Sequence, residues 1–440
     1  MPALWWGLIL ISLGPYCFMN FFLERSTFGA LCIAFAIPFL VYAFFAIKYE
    51  GGLQMILVVG ILFRMVFIAE TPFLSQDFYR FIWDGSLTTH GINPYNYLPN
   101  ELIQNASFNL PNKETLYQGM GSLSAAHYSN YPPLNQMLFT LGAFLGAGSE
   151  MLTCVFYKLV IIAADIGIFF IGKNILKQLH LPEKNILLYF LNPLVIVEGT
   201  GNLHFEAVML FFLLLSIHAL LHKKIGLAAL AFASAISIKL VPLMLLPLLL
   251  PYLGIKKSIT FYAVCVACCL VFFVPFYTPS FVTNYTSTVG LWFTNFEFNA
   301  SIYYIARSIG YAITGYNVIH TVGIFLPLVS ISFIAYKSFL KKNISIEALI
   351  QHMLFAFSLY LFMSTTVHPW YIVTLVGLSI FTQHKYALVW SAAAVLSYSA
   401  YTNSVFKENF ILIAVEYVLV LTVLLWDLLK TPNQKQQSLR

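Results

Sequence analysis

Charge is what this chain has least of. Asp, Glu, Lys and Arg make up 9% of its 440 residues, where a soluble domain carries roughly 25%. So few charges cannot coat a water-facing surface, which excludes a soluble enzyme or binding module. No stretch is long and polar enough to be an independent soluble domain, and no internal repeat or low-complexity segment is visible. Cysteine is scarce as well. Cys17, Cys32, Cys154, Cys265, Cys268 and Cys269 all fall in apolar segments. The CxxC spacing of Cys265 and Cys268 has no second pair or His cluster beside it, so these residues read as small packing groups and not as a disulfide framework. Walker A and GxGxxG loops are missing, which leaves no nucleotide site in the chain. His204 and Glu206 are two residues apart and His368 is remote, a pattern that matches no zinc spacing. No cofactor is therefore expected, and a divalent ion on Asp77 with other carboxylates is left open but without a supporting pattern. The net charge of +6 sits mostly in short loops between apolar runs, so it reads as an orientation signal and gives no footprint for nucleic acid.

What the chain does have is apolar length. Hydrophobic residues account for 60%, in long runs and not in the short alternating segments of an outer-membrane barrel. Lipid leaves backbone groups no partner but their own helix, so the fold class is an all-α polytopic membrane protein. The runs cover 4–23, 28–47, 53–70, 153–172, 186–200, 203–222, 225–253, 258–277, 317–338, 346–365, 368–382, 386–402 and 410–428. The run 225–253 holds Lys239, Pro242, Pro247 and Pro251 and is long enough for two shorter helices. The run 133–147 falls below the roughly 20 residues a spanning helix needs, and Pro132 and Pro133 stop any helix from entering it.

Lys and Arg then set the sidedness. The clusters Lys173/Lys177/Lys184, Lys223/Lys224, Lys256/Lys257, Lys337/Lys341/Lys342, Lys385 and Lys430/Lys435/Arg440 all belong inside under the positive-inside rule. They agree with one another if 225–253 crosses twice and 133–147 does not cross, giving about 14 spans with the N-terminus inside. The polar segments 71–132 and 278–316 then lie outside, with the short links that carry His204/Glu206 and His368/Trp370. The starting run is apolar with no basic leader or small-residue cleavage site, so the first span is expected to be retained.

Residues 75–100, SQDFYRFIWDGSLTTHGINPYNYLPN, are the most informative stretch. Ionisable clusters at a membrane edge are functional candidates by default. Asp77 and Asp84 are seven residues apart, so a helix brings them to similar faces two turns apart. Arg80 lies between them, placed to pair with Asp77 or to bind a phosphate. An Asp near a cation and a partly dry wall can act as general base. His204, Glu206, Lys239, Arg307, His368 and Trp370 come from distant parts of the chain onto the same predicted face. Several cations opposite a carboxylate loop suggest an anion site such as a phosphate. Asp165, inside a span, reads as a helix–helix hydrogen-bonding residue.

At these residues the sequence resembles a known group. QDFYRFIWDG…HGINPYNYLP is similar to the first outer-loop signature of bacterial polyprenol-phosphate-mannose-dependent mannosyltransferases of the GT-C superfamily. YPPLNQ at 131–136, LNPLVIVEGTGNLHFEAVML at 191–210, KLVPLMLLP at 239–247 and HPWY at 368–371 resemble the same family in the same order. The resemblance implies a GT-C-like bundle of about 13–14 spans with a large first extracytoplasmic loop, in a bacterial plasma membrane. It implies inverting transfer of a hexose, most often mannose, from a polyprenyl-phosphate donor to a glycan or glycolipid acceptor, with an α-linked product. By position Asp77 is the general base. Arg80, Trp83, Asp84, Asn93, Tyr95, Tyr131, His204, Glu206, Lys239, Arg307, His368 and Trp370 are the implied substrate contacts. Two departures stand out. Gln76 precedes Asp77 where the family often has a second acid, and His204–Phe205–Glu206 stands where it often has HND. The alternatives are a flippase for lipid-linked sugars and a scaffold subunit of an envelope-glycan complex. Transporters tend to show repeats and broken helices, and the concentration of polar residues on one face favours the enzyme.

Overall fold

The computed structural model describes residues 3–340, 342–402 and 406–430; Lys341, Lys435 and Arg440 of the predicted inside clusters lie outside them. In chain order the helices are α1 Ala3–Phe21, α2 Phe28–Lys48, α3 Leu53–Met65, α4 Asp77–Thr89, α5 Pro99–Gln104, α6 Lys113–Ala125, α7 Pro133–Gly146, α8 Glu150–Gln178, α9 Leu187–Phe190 and α10 Glu206–Leu221. They continue as α11 Ile225–Ile238, α12 Leu250–Phe273, α13 Phe281–Thr294, α14 Ile302–Thr314, α15 Ile319–Phe339, α16 Ile346–Met363, α17 Ile372–Ser379, α18 Tyr386–Ala393 and α19 Phe410–Leu429. Among the described residues there is no strand, only one isolated parallel bridge between Phe298 and Thr366.

Among the described residues seven helices are both long and apolar enough to cross a bilayer, and an eighth crossing appears if the bent pair Val195–Gly201 and Glu206–Leu221 is one span. The other apolar runs fold as shorter or irregular pieces. Residues 183–201 form a 3₁₀ turn, the single turn α9 and a seven-residue π-helix. The run 225–253 breaks at Lys239 into α11 and a 3₁₀ segment, Val241–Leu249. The difference from about 14 full spans has a physical cause. Residues 186–221 are almost wholly buried by protein, and irregular backbone at membrane depth is tolerated where other helices and not lipid surround it.

Buried ionic groups pin this interior. Arg64 of α3 donates to Asp165 of α8 at 2.8 Å and to the carbonyls of Gly60 and Phe190, while the Tyr189 hydroxyl donates to the same carboxylate at 2.7 Å. Asp165 thus joins helices, as its place inside a span suggested. Lys158 donates to the carbonyls of Phe67 and Glu70 beyond the end of α3, satisfying orphan acceptors there.

α7 starts at Pro133, a position where the missing N–H costs nothing, and its 14 residues reach about 21 Å at 1.5 Å per residue. It lies against α4 closely enough that a Cβ on Gly85 would collide with the Phe139 carbonyl. The two segments predicted outside pack on each other. Asn93 donates to the Phe276 carbonyl at 2.7 Å, Asn284 to the Tyr95 carbonyl at 3.0 Å, and Thr278 to Asn96 at 2.7 Å.

Candidate active site

Connections between helices meet around a cavity of about 540 Å³. Arg25 reaches it from the α1–α2 link, Asp77 from the first turn of α4, and Tyr131 from the residues ahead of α7. Glu206 enters from the first turn of α10, Lys239 from the extended residue where α11 stops, and His368 and Trp370 from the connection before α17. The parallel bridge fixes that connection, since Phe298 N–H donates to Thr365 and Val367 N–H donates back to Phe298. Much of the remaining wall is apolar, with Leu240, Val241, Val289, Phe357 and Leu361 among its residues.

Asp77 keeps a usable carboxylate. Its side chain is 41% exposed, and among the described residues the one ionisable base within 4 Å is His204, with Nε2 3.9 Å from Oδ2. His204 is 3% exposed and its Nε2 has no hydrogen-bond partner. Its other nitrogen, Nδ1, lies 3.0 Å from the Glu198 carbonyl and 3.3 Å from the Glu198 carboxylate. Local folding explains this placement. The π-helix Val195–Gly201 ends in a turn with Leu203 at φ 60°, and the chain bends by 111° before α10. π-helical turns recur at functional sites, and here one turns the His204 ring back over Glu198 and towards α4.

Four rings lie in a row beside the carboxylate. His204 stacks on Trp370 at 3.7 Å, Trp370 on His368 at 4.2 Å, and His368 on Phe298 at 4.9 Å between centroids. Both faces of Trp370 are thereby covered, so only its edge is offered to a substrate. Burial pushes His368 well below the usual histidine value, and the charges of His204, Lys239 and Arg25 push the same way. Lys239 is ion-paired with Glu206, which makes that couple neutral towards the cavity. Arg25 has no carboxylate within 4 Å among the described residues. Its guanidinium sits 3.3 Å from the centre of the Tyr401 ring, and its buried Nε has no hydrogen-bond partner.

Of the residues predicted from sequence, Asp77, Tyr131, Glu206, Lys239, His368 and Trp370 line the cavity, with His204 directly behind Asp77. The others are placed elsewhere. Arg80 does not pair with Asp77; it binds Asp84 one turn on at 2.7 Å and the carbonyls of Ser124 and His127. Asp84 also accepts from Gln136 at 2.9 Å, so the Arg80–Asp84 pair clamps α4 to α7 and to the link after α6. Trp83 is fully buried against Phe108. Asn93 and Tyr95 pin the two loop segments together, the Tyr95 hydroxyl donating to the Tyr131 carbonyl at 2.5 Å. Arg307 pairs with Glu297, and of that couple it is Glu297 that faces the cavity. Sequence reasoning missed Arg25 and Tyr401. Arg25 did carry a signal, being a cation on the predicted outer side, where the positive-inside rule leaves few. Tyr401 carried none.

An all-helical membrane bundle, with a carboxylate and an unneutralised cation in one half-apolar cavity, has the equipment of a membrane-embedded glycosyltransferase of the GT-C type. The sequence carries the matter further. Residues 17–254, more than half of the chain, match the alpha-(1->6)-mannopyranosyltransferase N-terminal domain, and the chain belongs to that family. It is a membrane mannosyltransferase. No curated protein matches it.

Proposed function

We propose that the chain transfers mannose from a polyprenyl-phosphate donor to a glycan or glycolipid acceptor on the extracytoplasmic face of a bacterial plasma membrane, with inversion at the anomeric carbon. Asp77 takes the proton of the acceptor hydroxyl. That oxygen attacks C1 from the side opposite the phosphate, the C1–O bond breaks, and its electron pair leaves with the phosphate. Arg25 is the cation for that leaving charge. The observation that carries the reading is the half-exposed Asp77 carboxylate, in one cavity with a cation that has no acidic partner among the described residues. The apolar wall suits the first isoprene units of a lipid donor.

The test uses purified protein in nanodiscs with radiolabelled polyprenyl-phosphate mannose and a membrane glycolipid extract. Asp77→Asn is expected to lower transfer by about 100- to 10,000-fold while donor binding persists. Equal transfer by both proteins removes Asp77 as base. A flippase is the second reading, favoured by the broken helix at Val195–Leu221, a feature common in transporters. It requires donor movement across a vesicle with no cleavage of the sugar–phosphate bond.

A further inference from the structure

The His204 position asks for more than a phosphate ligand. A backbone carbonyl can only accept, so Nδ1, which faces both the carbonyl and the carboxylate of Glu198, carries a hydrogen. In the neutral ring this leaves Nε2 as a bare lone pair. That lone pair is buried, lacks any hydrogen-bond partner among the described residues, and lies on the side of Asp77 Oδ2, 3.9 Å away. Glu198 is itself fixed. The Tyr398 hydroxyl donates to its Oε1 at 2.6 Å and Asn202 donates to its Oε2 at 3.1 Å. Stacking on Trp370 fixes the plane of the imidazole. Nothing about a cation-binding or sugar-binding role requires such a construction, whereas a base placed behind another base does.

We propose that His204 is the proton acceptor behind Asp77, with the Glu198 carbonyl holding it in the Nδ1–H tautomer and the Glu198 carboxylate orienting the ring and stabilising its protonated form. The inference rests on Asp77 being the general base. In each cycle the acceptor hydroxyl proton moves to Asp77 Oδ2 as the new glycosidic bond forms and the old C1–O bond breaks. It then moves to His204 Nε2, because imidazole is a stronger base than carboxylate. The resulting imidazolium lies between two carboxylates, Glu198 and Asp77. Asp77 returns to its ionised state while the lipid phosphate is still in the cavity, and the proton leaves to water as the products part. No further reactant is needed.

The groups facing His204 are Asp77 from α4, Glu198 from the π-helix and, across Trp370, His368 from the connection before α17. The two carboxylates are placed to stabilise positive charge that the ring takes up during the relay. The relay therefore predicts an acid limb of the rate profile that responds to substitution of His204 and of Glu198 alike. Steady-state transfer is measured against pH for wild type, His204→Gln, Glu198→Gln and Asp77→Asn, with donor KM and kcat separated. For His204→Gln and Glu198→Gln we expect kcat to fall tenfold or more, roughly the low end of acid–base contributions. Donor KM should change less than twofold (about the scatter of such assays), and the acid limb should move to lower pH. A rise in donor KM with kcat and the acid limb unchanged would make His204 a phosphate ligand and overturn the relay. Unchanged kinetics would overturn it too. If His204→Gln fails to fold, the nearly isosteric Glu198→Gln carries the same readouts. Normal transfer by Asp77→Asn would bring down the general-base reading beneath, whereas an inactive Asp77→Asn beside a normal His204→Gln brings down the relay alone.

Discussion

A cation is useful to a leaving phosphate only if its charge is not already spent. Lys239 and Arg307 each have an acidic partner, Glu206 and Glu297, while Arg25 faces the cavity over Tyr401 with none. Arg25→Gln is thus expected to raise donor KM by about tenfold or more, the worth of one charge-assisted hydrogen bond. Donor titration of the purified variant checks this, and an unchanged KM would hand the role to Lys239. His368 supplies a pH dependence. Burial and the neighbouring cations depress its proton affinity, so below about pH 6.5 the unfolded chain takes up a proton that the folded chain refuses. Stability is fully present above that pH and falls as pH drops below it, down to the depressed folded value. Thermal melting between pH 8 and pH 5 should show the decline, and His368→Gln should flatten it.

At the scale of elements, the WDG signature is a packing device. Trp83 fills space against Phe108, Asp84 closes the clamp with Arg80 and Gln136, and Gly85 lets α4 touch the α7 backbone. This contact sets the angle at which α4 presents Asp77. Gly85→Ala must push the two helices apart, at a cost of about 1–3 kcal/mol for overpacking. The variant is expected to melt earlier and to lose transfer with donor and acceptor alike, although no substrate touches residue 85. Melting followed by intrinsic fluorescence, read beside activity, tests this; full activity with an unchanged melting temperature would show that α4 and α7 slide without consequence. The broken helix before α10 has a similar role, since its bend is what brings Glu206 to the cavity and His204 behind Asp77.

For the whole molecule the open quantity is orientation. The loop around Asn109 and the link at Lys223 are both exposed and are predicted on opposite faces. In a cysteine-depleted background, Asn109→Cys is expected to react with a membrane-impermeant maleimide in intact cells, and Lys223→Cys only after permeabilisation. The reverse pattern would place the cavity inside. Composition and hydropathy by themselves determined the class, all-helical and membrane-embedded, because lipid permits few backbone solutions and 9% charge permits no soluble one. The short motifs singled out Asp77, Lys239 and His368, because carboxylates and cations at a membrane edge are costly without a task, and the three do line one cavity. Tertiary structure alone decided the division of labour among the charges. Arg80 turned to Asp84, Arg307 to Glu297 and Lys239 to Glu206, leaving Arg25 without an acidic partner and His204 between Glu198 and Asp77. Ion pairing depends on distance and on exclusion of water, both set by how remote helices pack, and a linear sequence carries neither.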